Sequence, residues 1–161
     1  MDRYKSPIAD LPDDHMRMVG IISTHWEWIE VMMERAVAEV MQHQPARVQI
    51  LTANINFHTK CDIILAYARH FQKEDPEQWK KFTTTIEGLK NAYSERNKYV
   101  HAKWKMVGSQ INLTQVRTSG GKFSLIDEPC PIEDLNKVAH QIVEAGEAFV
   151  TLVQPFGLLQ P

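Results

Sequence analysis

The sequence predicts an all-α fold: an antiparallel four-helix up-and-down bundle with a small β-hairpin insert before the last helix. Four segments repeat apolar residues at alternating steps of three and four, which is the pattern of amphipathic helices. A stretch of short β-leaning runs separates the third segment from the fourth. The 161 residues, of which 43% are hydrophobic and 24% charged, match the usual size of one domain. We therefore expect a single helical domain that spans residues 1–161.

The first two helices are predicted over about 13–43 and 46–71, with Pro45 between them. The seam of the first helix consists of Val19, Ile22, Trp26, Ile29, Met33, Ala36 and Val40. The second carries the apolar stripe Ile50, Phe57, Cys61, Ile64, Ala68 and Phe71. Each stripe is wide enough to face a common core.

The third helix has the clearest start in the chain, at Asp75-Pro76-Glu77-Gln78. Asp is a capping residue, Pro suits the first helical position, and Gln follows three residues after the cap. An apolar ladder then runs through Trp79, Phe82, Ile86, Leu89 and Tyr93, and we expect the helix to reach about Ala102. The fourth helix is predicted over about 132–153.

The insert, at about 103–128, changes from helical to β periodicity. Gly108-Ser109 and Ser119-Gly120-Gly121 separate its short runs and are typical of turns. One or two hairpins are expected there.

Composition and segment lengths indicate in which cellular compartment the protein is expected. No segment has the roughly 18 uninterrupted apolar residues of a membrane span, and the amino terminus lacks the apolar core of a secretory signal. A cytoplasmic protein without membrane association is expected. Cys61 and Cys130 lie far apart and in no metal-binding spacing, and we predict no metal ion or other cofactor.

The ladder of the third helix is interrupted by Arg96, which Asn97 and His101 follow. Arg suits a phosphate, His changes charge near neutral pH and moves protons, and Asn orients either group. A ribose 2′-hydroxyl that attacks its own adjacent phosphate needs only such groups, so RNA fits and DNA does not. Arg96 and His101 lie about 140° apart around a helix. The pattern therefore fits a site shared by two copies better than a site within one.

Basic residues surround this trio. Residues 90–122 hold seven basic side chains against Glu95 alone, a local charge of +6 that would attract a polyanion. We predict that four nearby residues bind the RNA backbone and its bases: Lys98, Lys103, Trp104 and Lys105.

The run Arg96-Asn97-Lys98-Tyr99-Val100-His101 resembles the Rx4-6H motif of the HEPN superfamily. The resemblance implies a helical bundle with the motif near the end of its third long helix, acting as a metal-independent endoribonuclease with a composite site in a homodimer. It implies that Arg96 binds the phosphate, Asn97 gives polar support and His101 performs acid/base chemistry. A toxin–antitoxin or defence role, with an antitoxin or regulatory protein as partner, is also consistent with this family.

Two other interpretations stay open. Arg96 could form an ion pair with Glu30 or Glu34 of the first helix, in a non-catalytic helical dimer that serves as an RNA-binding or protein-interaction module. Alternatively, His58 with Asp62, or His25 with Glu30, could hold a metal in the core of the bundle, although the Glu-x-x-His pairs of di-iron bundles are missing.

Overall fold

The computed structural model describes residues 11–42, 44–70, 74–119 and 122–157. It is mainly α-helical, with a small antiparallel sheet before the last helix, so the predicted class is confirmed at that level. The elements, in chain order, are α1 (Asp13–Val40), α2 (Pro45–Thr52), α3 (Phe57–His70), α4 (Pro76–Val100), β1 (Lys103–Val107), β2 (Gln110–Ser119), β3 (Lys122–Pro129), α5 (Ile132–Val153) and a 3-10 turn (Gln154–Phe156).

The best-marked helix boundary forms as its sequence predicts. The Asp75 carboxylate accepts a hydrogen bond from the backbone N–H of Gln78 at 2.9 Å, and Pro76 opens α4. Helix α4 ends at Val100, two residues before the predicted Ala102. The last predicted helix coincides with α5. The predicted ends of the first two helices, His43 and Phe71, lie outside the described residues.

The single helix predicted for 46–71 is wrong, because it consists of α2 and α3 with a turn at 53–56 between them. The Asn56 side-chain oxygen accepts a hydrogen bond from the Thr59 backbone N–H at 2.9 Å, which caps the start of α3. An Asn side chain that can cap a new helix competes with continuation of the old one. Ile50, expected on the buried stripe, is 78% exposed as a result.

Two of the long helices hold the others together: α1 packs against α5, α3 and α4, and α4 packs against both α3 and α5. Their contacts fix their directions. Asp62 of α3 binds Lys90 of α4, whereas the later Arg69 lies over the earlier Trp79, so α3 and α4 are antiparallel.

Residues later in α3 contact residues later in α1. The Trp26 ring packs on Phe57, and Lys60, one turn later, binds Glu30 and Glu34. Helices α1 and α3 therefore run in the same direction, whereas a strictly up-and-down order would alternate them. The short α2 lies where the chain runs back along α1, a direction that was expected of the whole predicted second helix.

The sheet has the order β1-β2-β3, with both pairs antiparallel. Gly108, at φ 63°, lies in the two-residue turn between β1 and β2, a position that favours glycine because it has no Cβ. The insert is thus two hairpins that share β2. Its other predicted turn residues, Gly120 and Gly121, lie outside the described part of the chain.

The core lies between the long helices and extends to the inner face of the sheet. Most of the predicted seam of α1 is buried, while Val19 and Val40 are half-buried at its ends. The largest fully buried side chains include Phe149, Ile22, Ile29, Met33, Ile64, Ile86, Leu89, Leu113, Leu135 and Ile142.

Candidate functional site

Arg96 and Asn97 occupy the last turn of α4, and His101 is the residue at which the helix ends. The backbone N–H of His101 donates to the Asn97 carbonyl at 3.2 Å, while its φ of −101° and ψ of 1° leave the helical conformation. Because His101 lies beyond the last helical residue, the 140° separation expected within a continuous helix does not constrain its side chain.

The three side chains meet within one chain. Arg96 Nη1 donates to Asn97 Oδ1 at 2.9 Å and lies 3.2 Å from His101 Nε2. A guanidinium has donors only, so a hydrogen bond between these two atoms has Nε2 as its acceptor. The spacing favoured a site shared by two copies over a site within one, whereas the structure brings the three side chains together in a single protomer.

The alternative ion pair of Arg96 with Glu30 or Glu34 is wrong. Both carboxylates bind the Lys60 ammonium, at 3.2 and 2.9 Å. Among the described residues, no carboxylate lies within 4.0 Å of the Arg96 guanidinium, and its Nε is buried without a hydrogen-bond partner. Arg96 is therefore a half-buried cation whose side-chain contacts are an amide and an imidazole.

Two of the predicted RNA-binding lysines have carboxylate partners. Lys98 binds Glu128 at 2.7 Å, and Lys105 binds Asp127. Partial burial alone would lower the pKa of Lys98, but its hydrogen bond to Glu128 and the charges of Tyr99, Glu128 and Glu95 together outweigh this effect and raise the pKa. Lys103 is exposed on β1, and no described carboxylate pairs with it. Of these three lysines, Lys103 is the one whose charge is not offset by a close described partner.

The expectation that Trp104 stacks on an RNA base does not fit its position. Its side chain is 8% exposed and makes an edge contact with the His15 ring, with centroids 6.3 Å apart. Strand β1 turns this side chain inward, toward Leu113 on the neighbouring strand. Alternation along the strand explains the placement, because Lys103 and Lys105 then face outward.

The predicted basic surface is partly neutralised by residues distant in the sequence. Lys90, Lys98 and Lys105 pair with Asp62, Glu128 and Asp127, which all lie outside residues 90–122. The side chains of Arg117 and Lys122 lie outside the described set. The local charge of +6 therefore overstates the field at this surface.

Three of the four residues proposed for a metal have other partners. His58 makes an edge contact with the Tyr93 ring, and Asp62 binds Lys90. Glu30 accepts from Trp26 Nε1 and from Lys60. Across the described residues, no group of three or more His, Cys, Asp or Glu side chains is arranged to hold a metal ion.

Two concave regions flank the end of α4. The larger, a groove of about 820 Å³ between α4 and α5, is not lined by Arg96, Asn97 or His101. A smaller pocket of about 220 Å³ is lined by the residues on either side of His101 and by Met16 and Val19 of α1. The sequence pattern did not indicate these two α1 residues, because only packing of α1 on α4 brings them here.

Within the described residues, none of the helices combines the length and apolarity needed to cross a membrane. No family model, curated protein or solved structure matches this chain.

Proposed function

We propose that the protein is a HEPN-like, metal-independent endoribonuclease. The observation that carries the proposal is the contact of one guanidinium with both the Asn97 amide and the His101 imidazole at the end of α4. This places a phosphate-binding group beside a proton-accepting group, as cleavage by a ribose 2′-hydroxyl requires.

In the proposed reaction, His101 Nε2 removes the proton of a 2′-hydroxyl, whose oxygen attacks the adjacent phosphorus. The bond from phosphorus to the 5′ oxygen breaks, which leaves a 2′,3′-cyclic phosphate and a 5′-hydroxyl. Arg96 stabilises the negative charge that develops on the phosphate oxygens, while Asn97 holds the guanidinium in place. A second, protonated His101 from the other copy of a homodimer supplies the proton to the leaving oxygen.

We further propose that α1, α3, α4 and α5 correspond to the four-helix bundle that the HEPN resemblance implies, with α2 as an added short helix. The packing of α1 and α4 on each other and on both α3 and α5 supports this correspondence. The sheet that follows His101 is then an addition to the bundle.

The test is cleavage of a single-stranded RNA in EDTA, with DNA of the same sequence as a negative control. We expect His101→Ala and Arg96→Ala to abolish cleavage while sedimentation still reports a dimer. His140→Ala and Arg35→Ala, which change exposed residues on α5 and α1, are the matched controls and should cleave normally.

Cleavage that persists in His101→Ala would exclude the catalytic assignment. Activity that appears only with added divalent metal would favour a metal enzyme. RNA that binds but survives would indicate a binding module, and absence of both binding and cleavage would indicate a protein-interaction dimer.

A further inference from the structure

The smaller pocket opens between the beginning of α1 and the end of α4. It has a volume of about 220 Å³. Its solvent-exposed members are Met16 and Lys103. The walls are otherwise apolar, and they include Val19, Val100, Ala102 and the largely buried Trp104.

This pocket is next to the Arg96–His101 contact. Val100 follows Arg96 by four residues, so the two lie one turn apart on the same face of α4. Ala102 and Lys103 follow His101 directly in the chain. A phosphate on Arg96 would therefore place the neighbouring nucleoside within reach of the pocket.

The size and chemistry of the pocket fit one nucleobase. Pockets for drug-sized ligands hold about 300–1,000 Å³, so this one leaves room for a single ring system. A base offers flat apolar faces to the aliphatic walls and to the polarisable Met16 thioether. It also carries a polar edge and an attached phosphate, and the Lys103 ammonium can attract both.

We infer that this pocket binds the base of a nucleotide adjacent to the scissile phosphate and so determines where the RNA is cut. The inference rests on the proposed ribonuclease function and names a specificity site for it. Its ligand is a single-stranded nucleotide with an unpaired base, because a base held in a helix cannot enter a pocket.

The test is a titration of the protein, labelled with ¹³C at its methionine methyl groups, with each of the four ribonucleoside 5′-monophosphates. We expect at least one nucleotide to shift the Met16 methyl signal in a saturable way, through the ring current of the bound base. Met33, fully buried, and Met106, 54% exposed on the sheet, are internal controls that should not move. Ribose 5-phosphate has no base and should leave Met16 unshifted.

Val19→Phe fills the pocket and should weaken nucleotide binding by about tenfold or more, which corresponds to about 1.4 kcal/mol. Val31→Phe makes the same change at an exposed position on the same helix, outside the pocket, and should bind normally. If the thermal transition shows that Val19→Phe does not fold, Ala102→Leu fills the pocket from the other side.

Three results would overturn the inference: no shift of Met16 with any nucleotide, an equal shift with ribose 5-phosphate, or a shift that depends on protein concentration alone. The last would show that a second copy covers the pocket. Cleavage assays on the same preparations separate the two proposals. A Met16 shift without RNA cleavage would refute only the ribonuclease, and cleavage without a Met16 shift would refute only the base pocket.

Discussion

Arg96 is held by an amide and an imidazole instead of a carboxylate, which is an unusual setting for a half-buried guanidinium. Its buried Nε–H has no hydrogen-bond partner among the described residues, and such a group costs about 1–3 kcal/mol. Its contacts with Asn97 and His101 are both made by Nη1 and leave the Nε–H unsatisfied. Residues that lower stability in this way are characteristic of functional sites.

Arg96→Met should therefore change the free energy of unfolding by less than about 1 kcal/mol, because it keeps the apolar stem and removes an unsatisfied donor. Urea denaturation measures this, and RNA cleavage by the same variant should be lost. A loss of stability of several kcal/mol would instead indicate that Arg96 is a structural residue.

Lys60 is the matched opposite case, since the residue is 6% exposed and its ammonium binds two carboxylates. Burial alone lowers the pKa of Lys60, but hydrogen bonds and charges from Glu34 and Glu30 outweigh it and raise the pKa above 10.5. We expect Lys60→Met to reduce the free energy of unfolding by about 3 kcal/mol, since it leaves two adjacent carboxylates unpaired. Adding Glu30→Gln and Glu34→Gln should restore most of this; a triple variant as unstable as Lys60→Met would contradict the explanation.

At the scale of elements, the contact between α1 and α5 depends on the absence of a side chain at Gly146. A Cβ there would lie 2.7 Å from a Trp28 ring carbon and 2.9 Å from Ile29 Cγ1. Gly146→Ala should destabilise the protein by about 1–2 kcal/mol, because the cost of overpacking exceeds the gain in helix propensity.

Gly20→Ala is the control for this substitution, because a Cβ at Gly20 in α1 meets no atom within 4 Å. It should stabilise the protein by about 0.5–1 kcal/mol through helix propensity alone. Thermal unfolding of both variants tests the comparison. Equal shifts in Tm for the two variants would show that α1 and α5 are less closely packed at Gly146.

Helix α5 could be predicted residue by residue, because its three-four stripe is uninterrupted and Pro131 marks its start. The boundary between α2 and α3 could not, because apolar residues continue across it. The signal there was Asn56 followed by Thr59, a capping pair that periodicity does not detect. The same limit explains why the predicted burial of Ile50 was wrong, because Ile50 would lie on the apolar stripe only if 46–71 formed one unbroken helix.

At the scale of the whole molecule, the candidate site combines contacts between residues near in sequence with contacts between distant elements. The sequence favoured a meeting of the trio across two copies, because Arg96 and His101 lie about 140° apart in a continuous helix. The last helical residue is Val100, and this earlier end allows the contact within one chain. The partners of Lys98 and Lys105 come from β3, and those contacts depend on the register of the sheet. The inward position of Trp104 likewise depends on which face of β1 packs on the core.

The buried titratable groups predict that the protein is unstable in alkali. Burial raises the pKa of Cys61 to about 12 and that of Cys130 to about 11, from 9.0. Burial also raises the pKa of Tyr99. Between 9.0 and these values the unfolded chain has released thiol protons that the folded protein retains, so stability falls as pH rises, by about 1.4 kcal/mol per pH unit for each thiol.

Urea denaturation at a series of pH values above 9.0 measures this loss. The double variant Cys61→Ala/Cys130→Ala should show a shallower decline, whatever its stability at neutral pH. An equal slope in the two proteins would exclude the thiols as its cause.

The backbone N–H of His101 makes the last hydrogen bond of α4, and β1 begins two residues later, at Lys103. The imidazole is thus attached to two elements whose sequences are free to change separately. Substitutions in the sheet can re-aim this side chain without altering a single helix–helix contact, and substitutions in the helices can tune stability without touching it. Under the proposed ribonuclease function, substitutions in the sheet are therefore expected to change cleavage preference while the helical framework stays constant.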